Sequence, residues 1–219
     1  MKCERIPLGA QGAYLDTYFL ADSPELKAGA CRPAVVVCPG GGYAYTSDRE
    51  AEPIALALCA RGFHACVLRY PCAPARFPAA LRALAEAVAW VRAGAAENHV
   101  DPRQISVCGF SAGGHLAGSL GVFWNAPFLA AETGLAPQDM RPDKMVLCYP
   151  VITGGEFAHK GSFDNLLGAD ADAARRAEVS LEQHVTQDTP PAFLWHTYTD
   201  PGVPVENTML FAMALRRAG

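Results

Sequence analysis

Ser111 stands in Gly109-Phe110-Ser111-Ala112-Gly113, directly after the apolar run Ile105-Ser106-Val107-Cys108 and directly before a helix-forming stretch. A serine at such a junction occupies a tight strand-to-helix turn, and glycines two residues to either side let the neighbouring backbone pass without a Cβ clash. The hydroxyl is then presented at a helix N-terminus, where the dipole favours negative charge. That is the chemistry of nucleophilic attack on an acyl group; the competing reading is a glycine-rich packing turn. Pro39-Gly40-Gly41-Gly42-Tyr43 closes an earlier buried run. Tandem glycines let backbone N–H groups point into a site, as an oxyanion hole requires. A dinucleotide loop fits less well, because the third small residue is replaced by Tyr45 and the next strand ends Leu68-Arg69-Tyr70 without an acid. Asp200 follows the last apolar run, in an Asp-Pro-Gly sequence that by itself signals only a turn. Serine first and acid later is nevertheless the chain order of a hydrolase triad.

The elements that must hold these residues are legible as alternating runs. Ala34–Cys38, His64–Tyr70, Ile105–Gly109, Met145–Tyr149 and Ala192–His196 are continuous apolar stretches, which indicates strands buried on both faces of a parallel sheet. Leu81, Leu84, Val88 and Val91 line one face of a helix. Asp48–Ala60, Ser111–Trp124 and Pro204–Ala218 also read as helices, and the first thirty residues as an antiparallel hairpin. The expected class is α/β, a mostly parallel sheet with helices on both faces. Residues 1–219 form one domain in this reading, with loops or a small cap at 125–143 and 153–188.

Composition narrows the partners. The 219 residues are 51% hydrophobic and 18% charged, with a net charge of −4 and no basic run. Disorder is excluded, and nucleic acid and anionic membrane have no electrostatic footprint to bind. The stretch Leu116–Ala131 is broken by Asn125 and Pro127, and the N-terminus has no apolar leader core, so the expected location is the cytoplasm. Eight cysteines without Cys-x-x-Cys spacing read as reduced thiols, several of them in the core. No metal and no cofactor are expected.

In combination, Pro-Gly-Gly-Gly-Tyr with Asp48-Arg49-Glu50, Gly-Phe-Ser-Ala-Gly-Gly-His-Leu-Ala, Thr189–Thr197 and Asp200…Val203-Pro204-Val205-Glu206-Asn207 resemble the α/β-hydrolase esterases related to feruloyl and acetylxylan esterases. The resemblance runs from about Val35 to Gly219. It implies an α/β-hydrolase fold, Ser111 as nucleophile, Asp200 as triad acid, and an oxyanion hole from the Ala112 amide with that of Gly41 or Gly42. The implied activity is hydrolysis of carboxylic esters, with acetyl or feruloyl esters of carbohydrates as substrates. A peptidase, a lactone hydrolase and a non-catalytic ligand-binding relative are the alternatives on the same scaffold. Tyr43, Tyr45 and Trp124 are candidates for a substrate pocket. In such esterases the base histidine follows one more strand, so the chain is expected to stop short of its last strand and histidine loop. His64, His99, His115, His159, His184 and His196 are accordingly not assigned as base. Ala192–Thr197 should then be an exposed apolar edge, with either a second copy in a homo-oligomer to cover it or poor order in the region near Asp200.

Overall fold

The strands β1 (Lys2–Pro7), β2 (Tyr14–Phe19), β3 (Arg32–Cys38), β4 (His64–Arg69), β5 (Val100–Phe110), β6 (Lys144–Cys148) and β7 (Ala192–Trp195) form one sheet in the order β1-β2-β4-β3-β5-β6-β7. A computed structural model of the chain provides these positions, and it describes residues 1–9 and 12–219. β2 runs antiparallel to both β1 and β4, while β3 to β7 are parallel to one another. The expected N-terminal hairpin is therefore present, and the five apolar runs are the five parallel strands. β2 alternates buried Leu15, Thr17 and Phe19 with half-buried residues, because only one of its faces meets the core. Along β3, by contrast, Ala34 to Cys38 are all buried.

Two elements differ from the sequence reading by more than two residues or in kind. The expected Asp48–Ala60 helix is a single 3-10 turn at Asp48–Glu50 followed by a helix at Glu52–Cys59. Pro53 sits in the first turn of that helix, where its missing N–H costs nothing. β5 starts at Val100, several residues early, because Val100 pairs with Arg32 of β3; the polar segment Asp101–Gln104 makes the register shift before pairing resumes between Ala34 and Ile105.

On one side of the sheet the Ala79–Ala93 helix and the Ala112–Phe123 helix pack against β5 and β3, the latter helix reaching β6 as well. The Glu52–Cys59 helix packs against β4, β2 and β3. Segment 125–143 folds into short helices at Pro127–Thr133 and Pro137–Met140 that pack on the Ala79–Ala93 helix. Trp124, just before them, is buried and donates its indole N–H to the Asp188 carbonyl, so it belongs to the packing and not to a substrate pocket. The C-terminal helix Glu206–Ala218 is tied down by Asn207. This fully buried amide accepts from the Ile152 and Thr153 N–H groups and donates to the Phe157 and Pro204 carbonyls, so every polar valence is used. β7 is an edge strand, with Phe193 62% and Trp195 48% exposed. Cys38, Cys66 and Cys108 are buried, and all eight cysteines are free thiols. Among the described residues no helix is long and apolar enough to cross a membrane.

Candidate active site

Ser111 adopts φ 53° and ψ −119°, between the end of β5 and the first residue of the Ala112–Phe123 helix. An L-residue with a side chain holds such a backbone only when its surroundings impose it. They do so here through two close approaches. A Cβ on Gly109 would overlap the Gly113 carbonyl, and one on Gly113 would overlap the Cys38 and Pro39 carbonyls at the end of β3. The Ser111 N–H donates to the Cys148 carbonyl, and the Ser111 carbonyl accepts from His115 and Val151. In a planar trans peptide the carbonyl and the following N–H point opposite ways. The Ser111 carbonyl is turned along the helix, so the Ala112 N–H faces out of its N-terminus.

The same rule orients the Gly40–Tyr43 loop. The Gly40 carbonyl accepts from the Ser47 N–H, and the Gly41 carbonyl accepts from the Ala44 and Tyr45 N–H groups. Both carbonyls are thus turned into the loop, which leaves the Gly41 and Gly42 N–H groups pointing away from it. The backbone is left-handed at three successive residues, with φ of 129° at Gly41, 64° at Gly42 and 59° at Tyr43. The Asn165 amide donates to the Gly42 carbonyl and the Tyr70 hydroxyl donates to that of Pro39. Gly41, Gly42, Tyr45, Ser111, Tyr149, His159 and Asp200 all line one cleft of about 460 Å³. Of the four non-glycine residues with positive φ among the described residues, Ser111 and Tyr149 line that cleft, Tyr43 lies in its wall loop and His99 is remote.

Tyr43 corrects the sequence reading. It is 3% exposed, and its hydroxyl hydrogen-bonds His115 Nδ1 at 2.8 Å, so the ring packs in the core while Tyr45, 59% exposed, lines the cleft. His115 Nε2 is 2.9 Å from the Val179 carbonyl, which makes Nε2 the protonated nitrogen and Nδ1 the acceptor from Tyr43. This imidazole therefore links the glycine loop to the Ala112–Phe123 helix that follows Ser111. Burial lowers its pKa to about 4, despite the opposing hydrogen bond to Val179. An unfolded histidine titrates near about 6.5, so the unfolded chain binds more protons between those values and stability falls as pH drops below the higher one. Urea unfolding should show wild type losing about 2 kcal/mol between pH 7 and 4.5 beyond any loss in His115→Gln. Equal acid sensitivity of the two would contradict a neutral, buried imidazole.

Asp200 lies in the loop between β7 and the C-terminal helix. Its Oδ1 accepts from the Gly202 and Val203 N–H groups, and its Oδ2 lies 3.6 Å from His196 Nε2. Burial raises its pKa, but the two N–H donors and the nearby His196 and His159 outweigh that and hold it below the usual carboxylate range. The histidines are otherwise committed. His64 accepts from the Leu20 N–H and contacts the His99 carbonyl. His184 packs on Phe123, and His196 bridges Thr208 and the Val203 carbonyl. His159, from segment 153–188, is the one that lines the cleft, and its Nδ1 accepts from the Ser162 N–H as a helix cap. Glu50 and Tyr149 also line the cleft. Glu50 occurs in the motif Asp48-Arg49-Glu50, yet nothing local in sequence indicates that its partner lies 99 residues away. A larger cleft of about 630 Å³ beside Trp90 is lined by no serine, cysteine or histidine. The described residues hold no cluster of three or more side chains suited to a metal ion.

This sheet order, with a serine at a strained turn after the central strand β5 and an acid after β7, is that of an α/β hydrolase. The chain belongs to the BD-FAE family, whose model matches residues 21–215. It is 38% identical over 194 residues to endo-1,4-beta-xylanase B of Butyrivibrio fibrisolvens, covering 84% of this chain and 30% of that protein. It is 29% identical to the acetylxylan esterase of Xylanibacter ruminicola, covering 92% of this chain and 39% of that one. The chain thus spans about a third of the length of these curated relatives. Among solved structures, the acetyl ester-xyloside bifunctional hydrolase of Caldicellulosiruptor lactoaceticus superposes with a TM-score of 0.86 at 38% identity, over 99% of this chain and 82% of that one. A carboxylesterase of Lactobacillus plantarum gives 0.86 at 29% identity, over 100% and 80%.

Proposed function

We propose that residues 1–219 are one α/β-hydrolase domain that hydrolyses carboxylic esters through an acyl-enzyme on Ser111. Ser111 Oγ attacks the ester carbonyl, and the negative charge that develops on its oxygen is received by the N–H groups of Ala112 and of Gly41 or Gly42. The leaving oxygen departs as the alcohol with the proton that Ser111 gave up, and water then adds to the acyl carbon and returns a proton to Ser111 Oγ as the acid is released. Asp200 is the triad acid, its role being to orient and stabilise a protonated base. The observation that carries this reading is the strained Ser111 hydroxyl facing one cleft with the glycine-loop amides whose carbonyls are all captured elsewhere.

The substrates proposed are acetyl or feruloyl esters of carbohydrates. The acetylxylan esterase and the acetyl ester-xyloside hydrolase among the relatives support the acetyl ester, and Tyr45 offers an exposed aromatic face at the cleft for a sugar or phenolic ring. An assay of p-nitrophenyl acetate, a feruloyl ester, p-nitrophenyl decanoate and a peptide p-nitroanilide tests it. The acetyl or feruloyl ester should exceed the anilide in kcat/KM by at least about tenfold, or 1.4 kcal/mol. An anilide cleaved as well as either ester would overturn the assignment in favour of a peptidase.

A further inference from the structure

Glu50 is absent from the acyl-transfer steps above, yet it sits at the junction of the site. Its Oε2 accepts from the Gly40 N–H at 2.7 Å, and its Oε1 accepts from the Tyr149 hydroxyl at 2.9 Å. Gly40 is wedged between this carboxylate and the nucleophile. A Cβ there would lie 2.7 Å from Glu50 Oε2, 2.8 Å from the Phe110 carbonyl and 3.1 Å from Ser111 Cβ. The carboxylate is itself anchored. Arg69, at the end of β4, binds Asp48 and the Thr46 carbonyl and hydroxyl, and so pins the 3-10 turn that carries Glu50. Tyr149 is held in turn, because its N–H donates to the Trp195 carbonyl on β7.

We propose that Glu50 is a positioning residue: its carboxylate, braced by Tyr149, draws the Gly40 N–H aside and thereby sets the Gly41 and Gly42 amides against Ser111. The inference rests on the ester-hydrolase reading. Without the carboxylate, the first peptide of the loop loses the anchor on its N–H side and is held only by the Tyr70 bond to the Pro39 carbonyl, about which it can tilt. Each following amide then swings with it, and about an ångström of displacement in such a site is enough to cost of the order of a hundredfold in rate. The bonds run from the loop after β3 to the turn after β6, so one side chain fixes two walls of the cleft.

Three variants separate this role from its rivals. Glu50→Ala removes both bonds. Glu50→Gln can keep both, since its carbonyl still accepts from Gly40 and its amide can donate to a reversed Tyr149 hydroxyl. Tyr149→Phe removes the brace alone. With p-nitrophenyl acetate, Glu50→Ala should lower kcat by about ten- to a hundredfold with KM within about threefold. Glu50→Gln should stay within about threefold of wild type, and Tyr149→Phe should fall between. In amide NMR spectra the Gly40 resonance should shift upfield in Glu50→Ala and hold its place in Glu50→Gln. An unchanged kcat in Glu50→Ala, an effect on KM alone, or an unmoved Gly40 resonance would overturn the proposal. So would Glu50→Gln as slow as Glu50→Ala, which would make the carboxylate a charge or proton acceptor. Wild type no faster than Ser111→Ala would instead sink the underlying ester reading, and the inference with it.

Discussion

Ser111→Ala should lose ester turnover by about a hundredfold or more while melting within about a degree of wild type. Among the described residues no protein group hydrogen-bonds the Ser111 hydroxyl, so deleting it orphans nothing and opens no cavity in the core. The strained turn itself survives, because it is imposed by Gly109, Gly113 and the bonds of the Ser111 backbone to Cys148, Val151 and His115. A hundredfold loss corresponds to about 2.7 kcal/mol of transition-state stabilisation, more than a ground-state contact of a half-buried, solvent-facing hydroxyl could supply. Activity and melting temperature should therefore separate cleanly. A variant that melts early and loses activity in proportion would point to a structural serine.

Gly113→Ala should do the reverse, damaging the fold first. The added Cβ overlaps two successive carbonyls, Cys38 and Pro39, where β3 gives way to the glycine loop. Neither backbone group can retreat easily. Cys38 is fully buried in the sheet, and the Pro39 carbonyl is held by the Tyr70 hydroxyl. Overpacking of this kind costs about 3 kcal/mol or more. For a chain of this length that lowers the melting temperature by about 6–12 °C. What gives way is the contact between helix and loop, so residual folded protein should also be slow towards esters. Unchanged melting would mean that the helix does not approach β3 as closely as described.

The strands and the elbow were readable because their signals are local. An unbroken apolar run specifies a strand covered on both faces, and Gly-x-Ser-x-Gly between a strand and a helix leaves few backbone solutions. The early start of β5 is not legible, because only Val100 pairs there, with Arg32 of β3, and the polar residues Asp101-Pro102-Arg103-Gln104 form an irregularity with no apolar pattern of their own before pairing resumes at Ile105. Tyr43 shows where the same kind of motif misleads. The loop binds its Gly40 and Gly41 carbonyls internally and turns its tyrosine ring to the core, and only the tertiary partner His115 decides which way the ring turns. Glu50 with Tyr149, and His159 with Asp200, come together through the fold alone. No spacing rule joins residues so far apart in the chain. The resemblance to esterases carried the family correctly, because its motifs are specific in combination even where each is weak alone.

The central claim is that one serine, placed at a strained turn against outward-facing amides, is the group that carries the acyl chain. Incubation with diisopropyl fluorophosphate followed by intact-mass measurement and peptide mapping tests it directly. A single phosphoryl adduct on Ser111, absent from Ser111→Ala, is the result expected. An unmodified protein, or an adduct on any other residue that persists in Ser111→Ala, would contradict it.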